Sequence, residues 1–291
     1  MLLVAAMMKV LITGGSSLLA RYLIKSCPHY NFDLTWFTNH IDGLTCYHLD
    51  ITNKSQVGYV FDRVKPDLVI HCAAVGSVDY AENNFVECHN INVLGTRNVV
   101  EATGRGRFVY LSTNAVYKGD NPPYSELSER VPVNRYGSLK REAENLVMAI
   151  SDNWLIIRPF MLYGYPYPGG RPNWFTTITQ KLAMGETVKL VNDVYWQPTL
   201  AEDVASAIWQ LVEGDKNQIY NVASDDHMTL YDFGLAVAKH NKVDSNRIEP
   251  IATSELKGIA PRPIDTAYDL GKVKALGLKF RGVEEGLRDL K

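Results

Sequence analysis

Five short runs in the first half of the chain are apolar and rich in β-branched or aromatic residues: KVLIT (9–13), DLTWFT (33–38), DLVIHCAA (67–74), RFVYLST (107–113) and NWLIIRP (153–159). Between them apolar residues recur at helical spacing, in LARYLIKSC (19–27), SQVGYVFDRV (55–64), the long stretch 82–103 and YGSLKREAENLVMAI (136–150). The alternation of strand and helix predicts an α/β fold, a doubly wound parallel sheet of Rossmann type with helices on both faces.

The pattern changes at Tyr163. YGYPYPGGRPNWF (163–175) carries Pro166, Pro168 and Pro172 together with Gly164, Gly169 and Gly170 among aromatic residues, which breaks regular structure and predicts a long functional loop. Beyond it the spacing predicts a helix over 175–185, a strand over 187–191, a helix over 201–214, a strand over 218–223 and a helix from Thr229 to about His240. The division expected from this is a dinucleotide-binding domain over 1–163, with 191–223 returning to it, and a smaller mixed α/β substrate lobe over 164–190 and 224–291. No internal repeat or low-complexity segment interrupts the pattern. Open α/β sheets bind ligands beyond the carboxyl ends of their strands, so the cleft between the lobes is the expected site.

Composition narrows the function. Thirty basic residues against thirty-two acidic ones give a formal charge of −2, which supplies no field for nucleic acid or an anionic membrane. A small-molecule ligand is expected instead. The four cysteines make no Cys-x-x-Cys pair and the seven histidines fall in no metal-ligand spacing, so no metal is expected and reduced thiols in a cytoplasm fit best. The opening MLLVAAMM lacks a basic flank and is too short to span a bilayer; it is expected to be an extension, with Met8 as an alternative start.

Two motifs carry candidate chemistry. In KVLITGGSSLLARYLI (9–24) an apolar strand runs through Gly14 and Gly15 into a helix, the arrangement in which backbone approaches pyrophosphate and helix N–H groups bind its charge. Ser17 and Ala20 stand where further glycines are usual. Alanine is small enough for helix–strand packing, and the Ser17 hydroxyl is expected to replace a glycine contact by a hydrogen bond. The second motif places Tyr136 and Lys140 four residues apart on one helix face, where an ammonium would favour phenolate in a proton-transferring tyrosine. Tyr268 and Lys272 share that spacing by chance, far from any such helix. Tyr136 follows a strand that ends in Ser112 and Thr113, at the sheet edge where substrate is expected.

Taken together, TGGSSLLA, HLDIT, KPDLVIHCAA, NINVLGTRNVVEA, YLSTNAVY, YGSLKREAE and IIRPFMLYG resemble the extended short-chain dehydrogenase/reductase family, in family order, from about Lys9 to the C-terminus. SVDYAEN, YKGDNPPYSE and VNDVYWQPTLAEDVA are similar to its dTDP-4-dehydrorhamnose reductase group and related sugar-nucleotide reductases. The resemblance implies that Tyr136 donates a proton to a substrate carbonyl, Thr113 polarises that carbonyl, and Lys140 holds the nicotinamide ribose and tunes Tyr136. It further implies cofactor contacts from Gly14, Ser16, Ser17, Leu18 and Leu19, adenine flanked by Asp50 and Ile51, and backbone contacts from Ala73, Ala74 and Val75. Plainer roles exist for several of these: Asp50 could cap a helix beginning near Thr52, Thr113 could simply end a strand, and Ala73 and Ala74 could be small for packing.

On the substrate side the resemblance points to Asn114, Met161, Asn173 and Trp196. Arg262 is the candidate for a diphosphate, with an ordinary surface arginine as the alternative. Asn114 stands where the reductases commonly carry aspartate, and Met161 where an aromatic residue often meets the sugar. An acidic pair after Thr113 is missing, which argues against dehydration. WFTNH (36–40) offers no carboxylate to a ribose 2′-hydroxyl, so NADP(H) is favoured over NAD(H), with Asn39 and His40 near the phosphate. The expected function is reduction of a keto group on a nucleotide-linked deoxysugar, in a chain able to form a homodimer. Epimerisation of a sugar nucleotide and a non-catalytic role like that of the methionine adenosyltransferase β-subunit are the alternatives.

Overall fold

The computed structural model describes residues 8–28, 30–41, 43–256 and 260–290; the opening stretch 1–7, read above as an extension, lies outside the described residues. β1 (Lys9–Thr13) leads into α1 (Leu18–Ser26), β2 (Asn31–Trp36), β3 (Cys46–His48), α2 (Lys54–Val64) and β4 (Leu68–His71). Then come α3 (Val78–Asn83), α4 (Phe85–His89), a π-helical segment (Asn90–Gly95), α5 (Thr96–Thr103), β5 (Arg107–Leu111), α6 (Arg135–Ile150) and β6 (Trp154–Pro159). The second half contains β7 (Leu162–Tyr163), α7 (Trp174–Ala183), β8 (Val188–Val191), β9 (Tyr195–Trp196), β10 (Thr199–Leu200), α8 (Ala201–Val212) and β11 (Gln218–Val222). It ends with β12 (Met228–Thr229), α9 (Leu230–Asn241), β13 (Ile248–Ile251), α10 (Gly271–Ala275) and α11 (Val283–Asp289).

Seven strands form one sheet in the order β11-β6-β5-β4-β1-β2-β3, parallel throughout. The chain order reverses at β1, between β2 and β4, which is the switch point where such sheets open a crevice. Successive side chains of a strand face opposite ways, and β1 shows it: Val10 and Ile12 enter a core shared with Leu23, Val204 and Ile208 of α1 and α8, while Leu11 enters the core of α2, α5 and α6 with Val60, Val99 and Val147. Burial on both faces explains why these strands read as continuous apolar runs. A separate core of Tyr163, Phe175, Leu190, Phe233 and Val237 builds the smaller lobe, in which β8 pairs with β13.

Three local features differ from the sequence reading. β3 is only three residues long and carries too little apolar pattern to be read as a strand. The helical stretch 82–103 is broken: the Asn92 side chain accepts from Val75 N (2.8 Å) and donates to Val75 O (3.0 Å), and the backbone there widens into the π-helical segment that delivers it. Tyr268, Leu270, Val273 and Leu278, expected in the substrate lobe, pack into the first core of the sheet. Lys272 ties that return to the edge strand β11 by donating to Gln218 Oε1 and Ile219 O, over the Tyr220 ring.

A buried ion pair fixes α6 on the sheet. Arg158 of β6 and Glu144 of α6 are both fully buried, joined by Nε–Oε1 (2.8 Å) and Nη2–Oε2 (2.7 Å) bonds, while Arg158 Nη1 donates to Tyr117 Oη (2.6 Å) and Arg130 Nη1 to Glu144 Oε2 (2.7 Å). Burial alone would push the Glu144 carboxyl up; the hydrogen bonds and charge of Arg158 more than reverse this and hold it below the usual range. Removing one partner strands a charge without water. Glu144→Gln is expected to cost about 3–5 kcal/mol in urea unfolding, and the double change Glu144→Leu with Arg158→Met to cost less than that single change.

Candidate active site

At the carboxyl end of β1 the chain turns so tightly against β4 that a side chain cannot fit. Gly14 has φ +67°, and a Cβ there would lie 2.7 Å from Ala73 Cα. Gly15 N donates to Thr35 O (2.7 Å), tying the same turn to β2. Ser17 then caps α1, its Oγ accepting from Ala20 N (3.3 Å), and its hydroxyl also reaches the Cys72 thiol, which burial pushes up to about 12. The hydroxyl expected on a phosphate also serves the helix start. Ser16 and Leu18 stay partly exposed beside it, and Leu19 is buried in the core.

The proline-rich loop folds back over this turn. Arg21 of α1 donates to Tyr165 O (2.9 Å) and to Pro166 O, and Tyr165 N donates to Tyr22 Oη (3.0 Å). A cavity of about 280 Å³ opens between Tyr167, Pro168, Gly169 and Gly170 of the loop and Ser16, Asn39 and His40 below. Asp50, one strand further out, accepts from Thr52 N (2.9 Å) and Thr52 Oγ1 (2.7 Å), while Asn53 is the residue that caps α2. Ile51 turns its side chain into the core against Gly95. Ala73, Ala74 and Val75 continue β4 toward the cleft, held by the Asn92 clamp.

Thr113, Tyr136 and Lys140 come together beyond β5. Asn134 caps α6 by accepting from Gly137 N (2.8 Å), and Gly137 lets the first helical turn press against Ala115 O, two residues after Thr113. Thr113 Oγ1 accepts from Ala115 N (3.2 Å). Burial pushes the Tyr136 phenol above its usual range, partly offset by the Thr113 hydroxyl and the Arg171 guanidinium. Lys140 is 3% exposed; its Nζ donates to Leu111 O (2.5 Å) and lies 4.3 Å from the Tyr110 ring centroid. Burial brings this ammonium down to about 8 against the opposing pull of Glu144 and Cys72. Arg171, an exposed residue of the aromatic loop that the sequence pattern did not single out, contributes to that offset through its charge.

A family profile described as the RmlD substrate binding domain matches residues 8–290. The chain belongs to that family. The methionine adenosyltransferase 2 subunit beta of Xenopus tropicalis is 29% identical over 294 residues, covering 96% of this chain and 87% of its own. The dTDP-4-dehydrorhamnose reductase of Aggregatibacter actinomycetemcomitans is 29% identical over 300 residues, covering 98% and 99%. A solved structure of dTDP-4-dehydrorhamnose reductase from Bacillus anthracis, in complex with NADP, matches with a TM-score of 0.86 at 28% identity, covering 97% of each chain.

In this RmlD-family chain the residues expected on the substrate side are held in different ways. Asn114 Nδ2 donates to Thr266 Oγ1 (2.8 Å), bridging the turn after β5 to the C-terminal part of the chain. Asn173 caps α7 and donates to Gly164 O (2.7 Å), so it closes the base of the proline-rich loop. Met161 lies between the two lobes' cores, and Trp196 meets Trp174 edge to face at 6.3 Å. Arg262 is already matched: both Asp79 carboxylate oxygens accept from its Nη2, at 2.9 and 2.8 Å. No helix among the described residues is long and apolar enough to cross a membrane.

Beneath Lys140 lies a neutral histidine. The Thr96 hydroxyl donates to Asn92 O (2.7 Å), so it accepts from His71 Nε2 (3.1 Å), and His71 Nδ1 accepts from Thr13 Oγ1 (2.6 Å). Burial, reinforced by Lys140, lowers His71 to about 3. The unfolded chain takes up this proton near pH 6.5 and the folded one does not, so the contribution is intact above pH 6.5 and drains away as pH falls toward 3. Between pH 7 and pH 5 the folded state is expected to lose roughly 2 kcal/mol through this group, and His71→Asn to flatten that slope in denaturant titrations.

Proposed function

We propose that this protein reduces a keto group on a nucleotide-linked deoxysugar at the expense of a nicotinamide dinucleotide, NADP(H) in preference to NAD(H). The observation that carries this reading is the convergence of Thr113, Tyr136 and Lys140 at the sheet edge next to the Gly14 turn. The fit to a dinucleotide rests on the backbone. Gly14 leaves the space that a Cβ would fill, and the buried Lys140 ammonium has three donors, of which Leu111 O takes one. Sequence kinship to a dTDP-4-dehydrorhamnose reductase, and likeness to another that was crystallised with NADP, support both halves of the proposal.

A bound nicotinamide supplies the hydride. The protein's own work is placement and proton transfer. Thr113 donates a hydrogen bond to the substrate carbonyl and Tyr136 gives its proton to the oxygen as negative charge develops there. Lys140 directs its remaining donors to ribose hydroxyls, fixing the ring from which the hydride leaves. A tyrosine held above its usual range stays protonated at neutral pH, the form a general acid needs. Gly14, Ser16 and the start of α1 receive the pyrophosphate. Ser16, Asn39 and His40 would hold the 2′-phosphate in the cavity they line, which has no carboxylate among its lining residues to repel it.

Tyr136→Phe is expected to lower turnover by roughly 10²–10⁴-fold while keeping the fold and most of the cofactor affinity, measured as NADPH oxidation with a 4-keto sugar nucleotide. Lys140→Met should weaken both. Lys272→Met, at the chance pair, should leave turnover near wild type. A wild-type protein that binds NADPH yet turns over none of these substrates would favour the regulatory role suggested by kinship to the methionine adenosyltransferase 2 subunit beta. Fluorescence titration should also find tighter binding of NADPH than of NADH at moderate salt, and the reverse order would overturn the cofactor preference.

A further inference from the structure

Lys140 is buried and makes no ion pair among the described residues. The groups around it offer no free negative charge. Glu144, one turn further along α6, spends Oε1 on Arg158 Nε (2.8 Å) and Oε2 on Arg158 Nη2 (2.7 Å) and Arg130 Nη1 (2.7 Å). Tyr136, one turn earlier, is a phenol that burial holds above its usual range. On the β4 side, burial pushes the Cys72 thiol up to about 12 and lowers the His71 imidazole to about 3, so both stand neutral at physiological pH. A charge deprived of both water and a counter-ion is strongly disfavoured, and this ammonium draws its support from elsewhere.

That support comes from β5, where consecutive residues present a ring and a carbonyl. Nζ lies 4.3 Å from the Tyr110 ring centroid and donates to Leu111 O (2.5 Å). The Tyr110 ring is 1% exposed and stacks near the His71 ring, with centroids 6.1 Å apart and planes 22° from parallel, which holds its orientation. Burial pushes its phenol well above the usual range, so the face of a neutral ring meets the ammonium; its hydroxyl, near Thr96, closes no hydrogen bond. An aromatic face carries negative potential, and its attraction for a cation grows where water is excluded. A carboxylate would also take up the ammonium's donors. The ring takes none: one goes to Leu111 O and the others remain for a ligand.

We propose that Tyr110 is a positioning residue that acts through Lys140: its ring face takes the place of a counter-ion, keeping the ammonium charged and its free donors available to the cleft. The inference rests on the nicotinamide reading of the site, in which those donors meet ribose hydroxyls. The Tyr110 hydroxyl has no part in this role, so its removal should be silent while loss of electron density from the ring should not.

Replacing Tyr110 in the full chain by Phe, and then by a graded series of ring-fluorinated phenylalanines, keeps the shape and drains the ring face of negative potential. In the protein without cofactor, the carbon-13 resonance of Lys140 Cε, identified by its loss in Lys140→Met, reports the charge on the ammonium directly. Tyr110→Phe is expected to titrate with the wild type, at about 8, and the most fluorinated ring to lower the proton affinity of Lys140 about tenfold. A lysine that gives up its proton more readily loses its grip on a ligand at lower pH. By calorimetry that variant should therefore bind NADPH about fivefold more weakly than the wild type at pH 8, and within about twofold of it at pH 6. A Lys140 midpoint that ignores fluorination would overturn the proposal, as would a loss of affinity equal at both pH values, which is what a disturbed core would give. A wild type that binds no nicotinamide dinucleotide would overturn the reading of the site and the ligand half of the proposal, while the Lys140 midpoint would still decide whether the ring supports the charge.

Discussion

The buried pair between Arg158 and Glu144 sets the position of everything the site uses. Tyr136, Lys140 and Glu144 follow one another at four-residue intervals and so form a single stripe on α6. Glu144 meets Arg158 in two directions, through Nε and Nη2, which fixes both the rotation of the helix and its height on the sheet. Once that is set, Lys140 arrives over the Tyr110 ring beneath Leu111 O, and Tyr136 arrives beside Thr113. Two charges without water are costly to part, so the helix keeps that register.

The cleft itself is assembled from close backbone approaches. Gly14 lets the β1 turn touch the chain after β4, and Gly137 lets α6 touch the turn after β5. Asn92 adds a third constraint by gripping the Val75 peptide through both ends of its amide. The peptide groups around Ala73 and Val75 are thereby held still at the sheet edge, where a ligand would meet backbone. His71 belongs to the same scheme. Kept neutral, it links Thr13 of β1 to Thr96 of α5 without adding a second positive charge below Lys140.

Cations around the cleft fall into two kinds. Arg158 and Arg262 are matched by carboxylates and act as fixings, and Arg21 serves the same end by holding the proline-rich loop through backbone carbonyls. Lys140 lacks such a match in direct contact. A buried cation without a counter-ion is costly in the resting protein and becomes favourable when an electron-rich ligand arrives. That difference in partners separates the scaffold from the chemistry more clearly than residue type does.

Much of the fold was legible because its signals are local. Continuous apolar runs mark strands buried on both faces, helical spacing marks the covering helices, and the four-residue interval between Tyr136 and Lys140 places both on one helix face whatever the rest of the chain does. The Gly14–Gly15 turn was legible for the same reason, since backbone freedom is a property of the residue itself. Partnerships were not legible. Ser17 and Asn173 became helix caps, and Asn92 opened a π-helical segment inside what reads as unbroken helix. Arg262 found a carboxylate 183 positions away. Periodicity depends on neighbours along the chain, so the sequence alone determines it. Which charge meets which depends on how the strands cross over and how the loops close, and only the tertiary structure decides that.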